Sequence, residues 1–164
     1  MRAIIIYYSC TGNTKKVAEI LAEYLKIKGE VKLLRLEALD ESASFFGRAA
    51  RAFWHKKARI ASLEWELSGH DLICVGTPVW AFGPSPAINT YLEKCFGLES
   101  KPVLMFTTYG SGTGVNRCFN YIQDILSKKG AKDFKRFAIQ QFKVNDKEFI
   151  LYKIKETLRL WPNG

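Results

Sequence analysis

A chain of 164 residues has the length of one ordinary domain, and a composition of 48% hydrophobic and 25% charged residues is globular rather than disordered. Lys plus Arg outnumber Asp plus Glu by 25 to 16, a formal charge of +9 that favours acidic partners without choosing among proteins, phosphorylated cofactors, nucleic acid and anionic lipid. No stretch approaches the roughly 20 apolar residues of a membrane span, and the opening run Ala3–Tyr8 is too short for a signal-peptide core, so a cytoplasmic location is expected.

The elements are read in chain order. Ala3–Tyr8 lacks polar alternation, as a central strand buried on both faces requires. Val17, Ile20, Leu21, Tyr24 and Leu25 recur at helical spacing, with Gly29 as the expected stop, and Val31–Leu36 is a second strand. Phe46, Ala49, Ala50 and Phe53 continue a helical stripe crowded by Arg48, Arg51, His55, Lys56, Lys57 and Arg59; Ser62–Gly69 is an irregular connection or a short helix. Leu72–Val75 is a third strand ending at Gly76-Thr77-Pro78, and Ser85-Pro86 offers an N-cap and a first-turn proline for a helix that buries Ile88, Tyr91, Leu92 and Cys95.

Val103–Phe106 is the fourth strand, followed by a loop from Thr107 to Gly114. Val115, Phe119, Ile122 and Leu126 mark the next helix, which closes near Gly130. Phe134–Phe142 contains a fifth strand, and Ile150, Ile154, Leu158 and Trp161 mark a last helix. Strands alternating with helices, without repeats or Gly/Ser linkers, predict one α/β domain over residues 1–164 with a parallel sheet.

Chemistry concentrates in the loops that follow the strands. Ser9-Cys10-Thr11-Gly12-Asn13-Thr14 joins strand one directly to a helix, where free N–H groups and the helix dipole favour an anion. Gly12 permits close backbone approach, and Ser9, Thr11, Asn13 and Thr14 add donors. The loop has no lysine, so it lacks the pattern that cradles a nucleoside triphosphate, and it lacks G-x-G-x-x-G as well. A monophosphate ester held by neutral donors fits it. The bland alternative is a well-capped turn, but six consecutive small polar residues exceed what a cap needs.

Cys10 reads as a small loop residue before it reads as a redox thiol. Cys74 and Cys95 lie in apolar patterns as buried small hydrophobes. The four cysteines, with Cys118, form no C-x-x-C pair, and with only two histidines no metal site is expected.

The stretch Ile5–Thr14, with Ala18 and Leu21 behind it, resembles the signature of the flavodoxin family, and the element order resembles that family over nearly the whole chain. The resemblance implies a doubly wound sandwich, a five-stranded parallel sheet of order 2-1-3-4-5 with helices on both faces, and FMN as cofactor with its phosphate in the Ser9–Thr14 loop. The strand order comes from the family, not from the residues.

Ligands of open α/β sheets lie beyond the carboxyl ends of the strands, which directs attention to two further loops. Gly76–Trp80 is similar to a flavin loop of short flavodoxin-like proteins and their NAD(P)H-dependent relatives. By that resemblance Thr77 adds a donor to the phosphate, while Pro78, Val79, Trp80, Ala81 and Phe82 line the isoalloxazine. Thr108, Tyr109, Gly110, Gly112 and Gly114 face its pyrimidine edge with backbone N–H groups, Tyr109 covering a ring face. Each aromatic taken singly reads as core; their joint placement at both ligand loops points to the ring.

The chain departs from the family in charge. Electron-carrier flavodoxins are acidic, whereas Thr77–Pro86 and Thr107–Asn116 contain no Asp or Glu. The basic segment Arg48–Arg59 is either a solvated helix face or a docking patch for an acidic partner or a nicotinamide phosphate. The expected function is electron transfer with redox partner proteins; the alternative is an NAD(P)H-dependent flavin or quinone reductase using the same site. A flavin-free domain binding a partner or nucleic acid is disfavoured by the complete phosphate loop. No catalytic side chain is proposed, and His55 and His70 receive no role, because hydride and electron chemistry belong to the flavin.

Overall fold

The computed structural model describes residues 1–37 and 64–159. The expected stripe Phe46–Phe53, the basic segment Arg48–Arg59 and Trp161 lie outside the described residues. The described residues form, in chain order, β1 (Arg2–Tyr7), α1 (Asn13–Lys26), β2 (Glu30–Arg35), β3 (Leu72–Pro78), α2 (Pro86–Lys94), β4 (Pro102–Tyr109), α3 (Val115–Lys128), β5 (Lys132–Gln140) and α4 (Lys147–Leu158). All neighbours pair in parallel, in the order β2-β1-β3-β4-β5, as expected. No helix among the described residues is long and apolar enough to cross a membrane.

The unbroken apolar run of β1 is explained by two cores. Ile4 and Ile6 face one side with Ile88, Leu92 and Ile122 of α2 and α3; Ala3, Ile5 and Tyr7 face the other with Val17, Leu21, Ile150 and Ile154 of α1 and α4. Successive strand side chains point to opposite faces, so a strand covered on both sides must be apolar at every position. Ser85 caps α2 as expected, its hydroxyl accepting from the Ile88 N–H, with Pro86 in the first turn.

The strand ends differ from expectation at functionally relevant places. β4 runs three residues past Phe106, because Thr107 and Thr108 stay in register with Thr77 and Pro78, and Tyr109 stays opposite Gln140. β-branched threonines fit such a continued ladder. β5 starts and ends two residues before the expected range, and Gln141–Lys143 forms a 3-10 turn. Residues 64–69 form no helix; Glu66 makes an isolated bridge to Phe96.

Gly29 does not stop α1, which ends at Lys26 with Ile27 as its C-cap. Its role is a close approach: a Cβ there would lie 2.1 Å from the Met1 carbonyl oxygen. At Gly76 the reason is different. A Cβ would sit 2.1 Å from Phe106 Cζ, whose ring stacks on Phe137 with centroids 5.7 Å apart.

Candidate functional site

The loops after β1, β3 and β4 meet at the carboxyl end of the sheet. The first begins with Ser9, which is 4% exposed and whose buried Oγ has no hydrogen-bond partner. Cys10 and Thr11 are exposed, and Gly12 is the N-cap of α1 with φ 88°. That left-handed value favours glycine at this turn. No side chain caps the helix, its first turn contains no acid, and its first backbone bond runs from the Lys16 N–H to the Gly12 carbonyl. The N–H groups of Asn13, Thr14 and Lys15 are therefore left to a ligand or solvent, at the positive end of the helix dipole. An anion is what this arrangement suits.

The hydroxyls do not all face outward. Thr14 Oγ1 lies 2.8 Å from Thr108 Oγ1, and both residues are buried. Thr14 thus offers its N–H, its hydroxyl being held by Thr108. Thr77, expected as a phosphate donor, is fully buried; its hydroxyl donates to the Pro78 carbonyl and accepts from the Ser85 N–H, both at 3.0 Å. It fixes the loop that leads into α2.

That loop carries a tight turn. Trp80 and Gly83 exchange two backbone hydrogen bonds of 2.9 Å, and the residues between them, Ala81 and Phe82, take φ of 44° and 69°. This is the hairpin turn in which both central residues are left-handed, a geometry normally given to Asn and Gly. The Trp80 ring meets Tyr8 edge-on, centroids 5.6 Å apart. Phe82 is exposed and rests on Gly114, where a Cβ would come within 2.6 Å of its ring.

Gly114 is also the N-cap of α3, again with φ 88° and without a side-chain cap or a first-turn acid. The Val79 N–H donates to the Thr108 carbonyl at 2.9 Å, tying the loop after β3 to β4. Tyr109, at the end of β4 rather than in a loop, packs beside Gly112, and Gln140 Nε2 donates to the Gly110 carbonyl. The structure thus brings the three expected segments into one site.

Sequence reasoning does not reach Tyr8 as a support for Trp80, Gln140 as a brace for Gly110, or Asn145, whose Oδ1 holds Lys16 Nζ at 2.6 Å. Each depends on tertiary contact between distant elements. Cys74 and Cys95 are buried, as expected. All four cysteines are free, only Cys10 is exposed, and burial pushes the thiols of Cys95 and Cys118 up to about 11 and about 12, with Cys74 higher still. Among the described residues no His/Cys/Asp/Glu group is suited to a metal ion.

A model of the Flavodoxin family matches residues 2–149. The chain belongs to the flavodoxin family. No curated protein matches the sequence. Solved structures agree on the flavodoxin fold. A flavoprotein from Lactobacillus acidophilus in complex with FMN is 20% identical, with a TM-score of 0.61, over 90% of this chain and 98% of its own. Oxidised flavodoxin 1 from Bacillus cereus is 16% identical, with a TM-score of 0.60, over 94% and 98%. A flavodoxin from the domain Archaea is 16% identical, with a TM-score of 0.59, over 97% and 99%.

In this flavodoxin the loops after β3 and β4 are free of carboxylates, and the starts of α1 and α3 carry Lys15, Lys16 and Arg117 and no acid. The partially buried aromatics and the acid-free helix start fit a phosphorylated planar ligand better than a neutral one.

Proposed function

We propose that this chain is an FMN-binding electron-transfer protein. The observation that carries the reading is the start of α1: an uncapped, acid-free first turn preceded by Ser9, whose buried hydroxyl has no other partner. Membership in the flavodoxin family and a fold neighbour crystallised with FMN support the choice of cofactor. Ser9, Cys10, Thr11, Gly12, Asn13 and Thr14 would hold the phosphate, Thr11 and Asn13 by side chain and backbone, Thr14 by its N–H. Pro78, Val79, Trp80, Ala81 and Phe82 would line one side of the ring. Thr108, Tyr109, Gly110, Gly112 and Gly114 would line the other, with Thr77 securing the first of these loops from behind. FMN supplies the redox chemistry, taking up and passing on electrons; the residues of this chain bind it, orient it and shield it from water.

The test is a titration of flavin-free protein with FMN and with riboflavin. Thr11→Ala should weaken FMN roughly tenfold or more, the loss of one hydrogen bond to a charged group, and leave riboflavin nearly unchanged. Equal affinity of the unmodified protein for the two flavins would overturn the phosphate loop. Anaerobic addition of NADPH separates a carrier from a flavin or quinone reductase: a carrier is reduced slowly by NADPH alone and quickly through a reductase protein.

A further inference from the structure

The site opens onto a surface whose charges are arranged unlike an ordinary helix-start surface. Negative side chains stabilise helix N-termini and cations destabilise them. Here the first turns of α1 and α3 contain no acid and carry Lys15, Lys16 and Arg117 instead, all exposed. Lys15 is partly offset by Glu19 at 3.6 Å. Lys16 is held by the neutral amide oxygen of Asn145, which orients the ammonium without cancelling it. Arg117 has no carboxylate within 4.0 Å among the described residues. After β5, Asp146 caps α4 through the Phe149 N–H and lies 3.8 Å from Lys143, while Glu148 stands exposed in the first turn of α4.

An apolar element stands beside this charge. Phe82, at the tip of the left-handed turn, is 39% exposed while seated on Gly114, one turn from Arg117. Phe142, just beyond the Gln140 and Gln141 side chains at Gly110, is 77% exposed. Two exposed aromatics among uncompensated cations match the composition of a protein-docking surface, apolar at its centre and charged at its rim.

We propose that the face bearing Phe82, Phe142, Lys16 and Arg117 docks an acidic protein, the redox partner of the proposed carrier. It rests on that reading of the function and uses none of the residues Arg48–Arg59. The FMN phosphate would offset charge at α1, so Arg117 beside Phe82 is the cation left for the partner. A carboxylate-rich partner would gain its association rate from this field and its orientation from the aromatics.

Two substitutions on one helix test the proposal. Arg117→Glu and Lys128→Glu make the same charge change at opposite ends of α3, about 16 Å apart at 1.5 Å per residue, beyond the screening length of about 10 Å in 0.1 M salt. Fluorescent poly-L-glutamate is the first probe, its binding to the full chain followed by anisotropy, with or without flavin. Arg117→Glu should weaken binding roughly fivefold, and Lys128→Glu less than twofold.

The second readout is oxidation of the dithionite-reduced FMN-loaded protein by ferricyanide and by hexaammineruthenium(III). Arg117→Glu should slow the anionic oxidant and speed the cationic one, with both effects disappearing as salt is raised. Equal effects of the two substitutions in both assays, or none in either, would overturn the proposal, since the overall charge alone would then account for binding. If the protein holds no FMN in its visible spectrum, the oxidant assay fails with the carrier reading, while poly-L-glutamate still decides whether the surface exists.

Discussion

Ser9→Ala should move stability and binding in opposite directions. The Ser9 side chain is 4% exposed, and its Oγ is buried without a hydrogen-bond partner. Leaving a hydroxyl in that state costs about 1–3 kcal/mol, so its removal stabilises the flavin-free protein by ~1 kcal/mol at the lower end of that range. For a chain of this size that raises Tm by about 2–4 °C. The same hydroxyl, if it donates to a phosphate, supplies about 1.5–3 kcal/mol of binding, and its loss raises the FMN Kd by roughly 10- to 150-fold. Differential scanning calorimetry of the flavin-free protein and a fluorescence titration with FMN measure the two effects. A variant that melts lower, or that binds FMN as tightly as the unmodified protein, would refute the reasoning, since the hydroxyl would then have a structural partner or no ligand to serve.

The turn at Ala81 and Phe82 stores strain of about 1–2 kcal/mol per left-handed non-glycine residue, so Ala81→Asn should raise the urea midpoint, a gain of ~1 kcal/mol. Gly76→Ala should destabilise by about 2–3 kcal/mol, because its methyl group would enter the Phe106 ring, and a unchanged urea midpoint would show that the ring has room to move. Hydrogen bonds from Lys32 and then His70 hold the Glu64 carboxyl below its ordinary value of 4.5, so its contribution to stability is present above that pH and is lost as pH falls through the lowered value. Urea midpoints between pH 3 and 6 should therefore slope less in Glu64→Gln than in the unmodified protein. Absent loop carboxylates should make the potential of the couple ending in fully reduced FMN less negative than in acidic flavodoxins. One unit charge ~10 Å away at an effective dielectric near 20 contributes roughly 1.7 kcal/mol, about 70 mV, and an equally negative potential under matched salt would contradict the expectation.

Much of this fold is legible in the sequence because burial on two faces leaves an unmistakable mark. Ile4, Ile5 and Ile6 can be continuous only in a strand with a core on each side, and Val17, Leu21 and Leu25 define one helix face. Ser85-Pro86 announces α2 through cap chemistry alone. The limits of β4 are less legible, since Thr107, Thr108 and Tyr109 suit a loop or a strand by themselves and the neighbouring strands decide. Gly29 misleads for a related reason: a glycine after a helix suggests a cap, whereas here the crowding comes from Met1, which lies beside it at the start of the parallel β1–β2 pairing. In the site, the small polar residues of Ser9–Thr14 are readable, but the destination of each hydroxyl is not. Thr77 turns inward to Ser85 and Thr14 turns to Thr108, contacts that exist only after the sheet has formed.

The Thr14–Thr108 contact joins residues 94 positions apart through a single 2.8 Å bond in which either oxygen is able to donate. One proton lies between the two hydroxyls, so they cannot choose their roles independently. A ligand that takes the proton of Thr14 Oγ1 obliges Thr108 to donate to Thr14, and a ligand that accepts from Thr108 obliges Thr14 to donate to Thr108. The choice is all-or-none and it is shared by the first turn of α1 and the end of β4. The two halves of the pocket are thereby made to agree about hydrogen-bond polarity before any contact between them passes through a ligand, and a guest that satisfies one half inherits the orientation of the other.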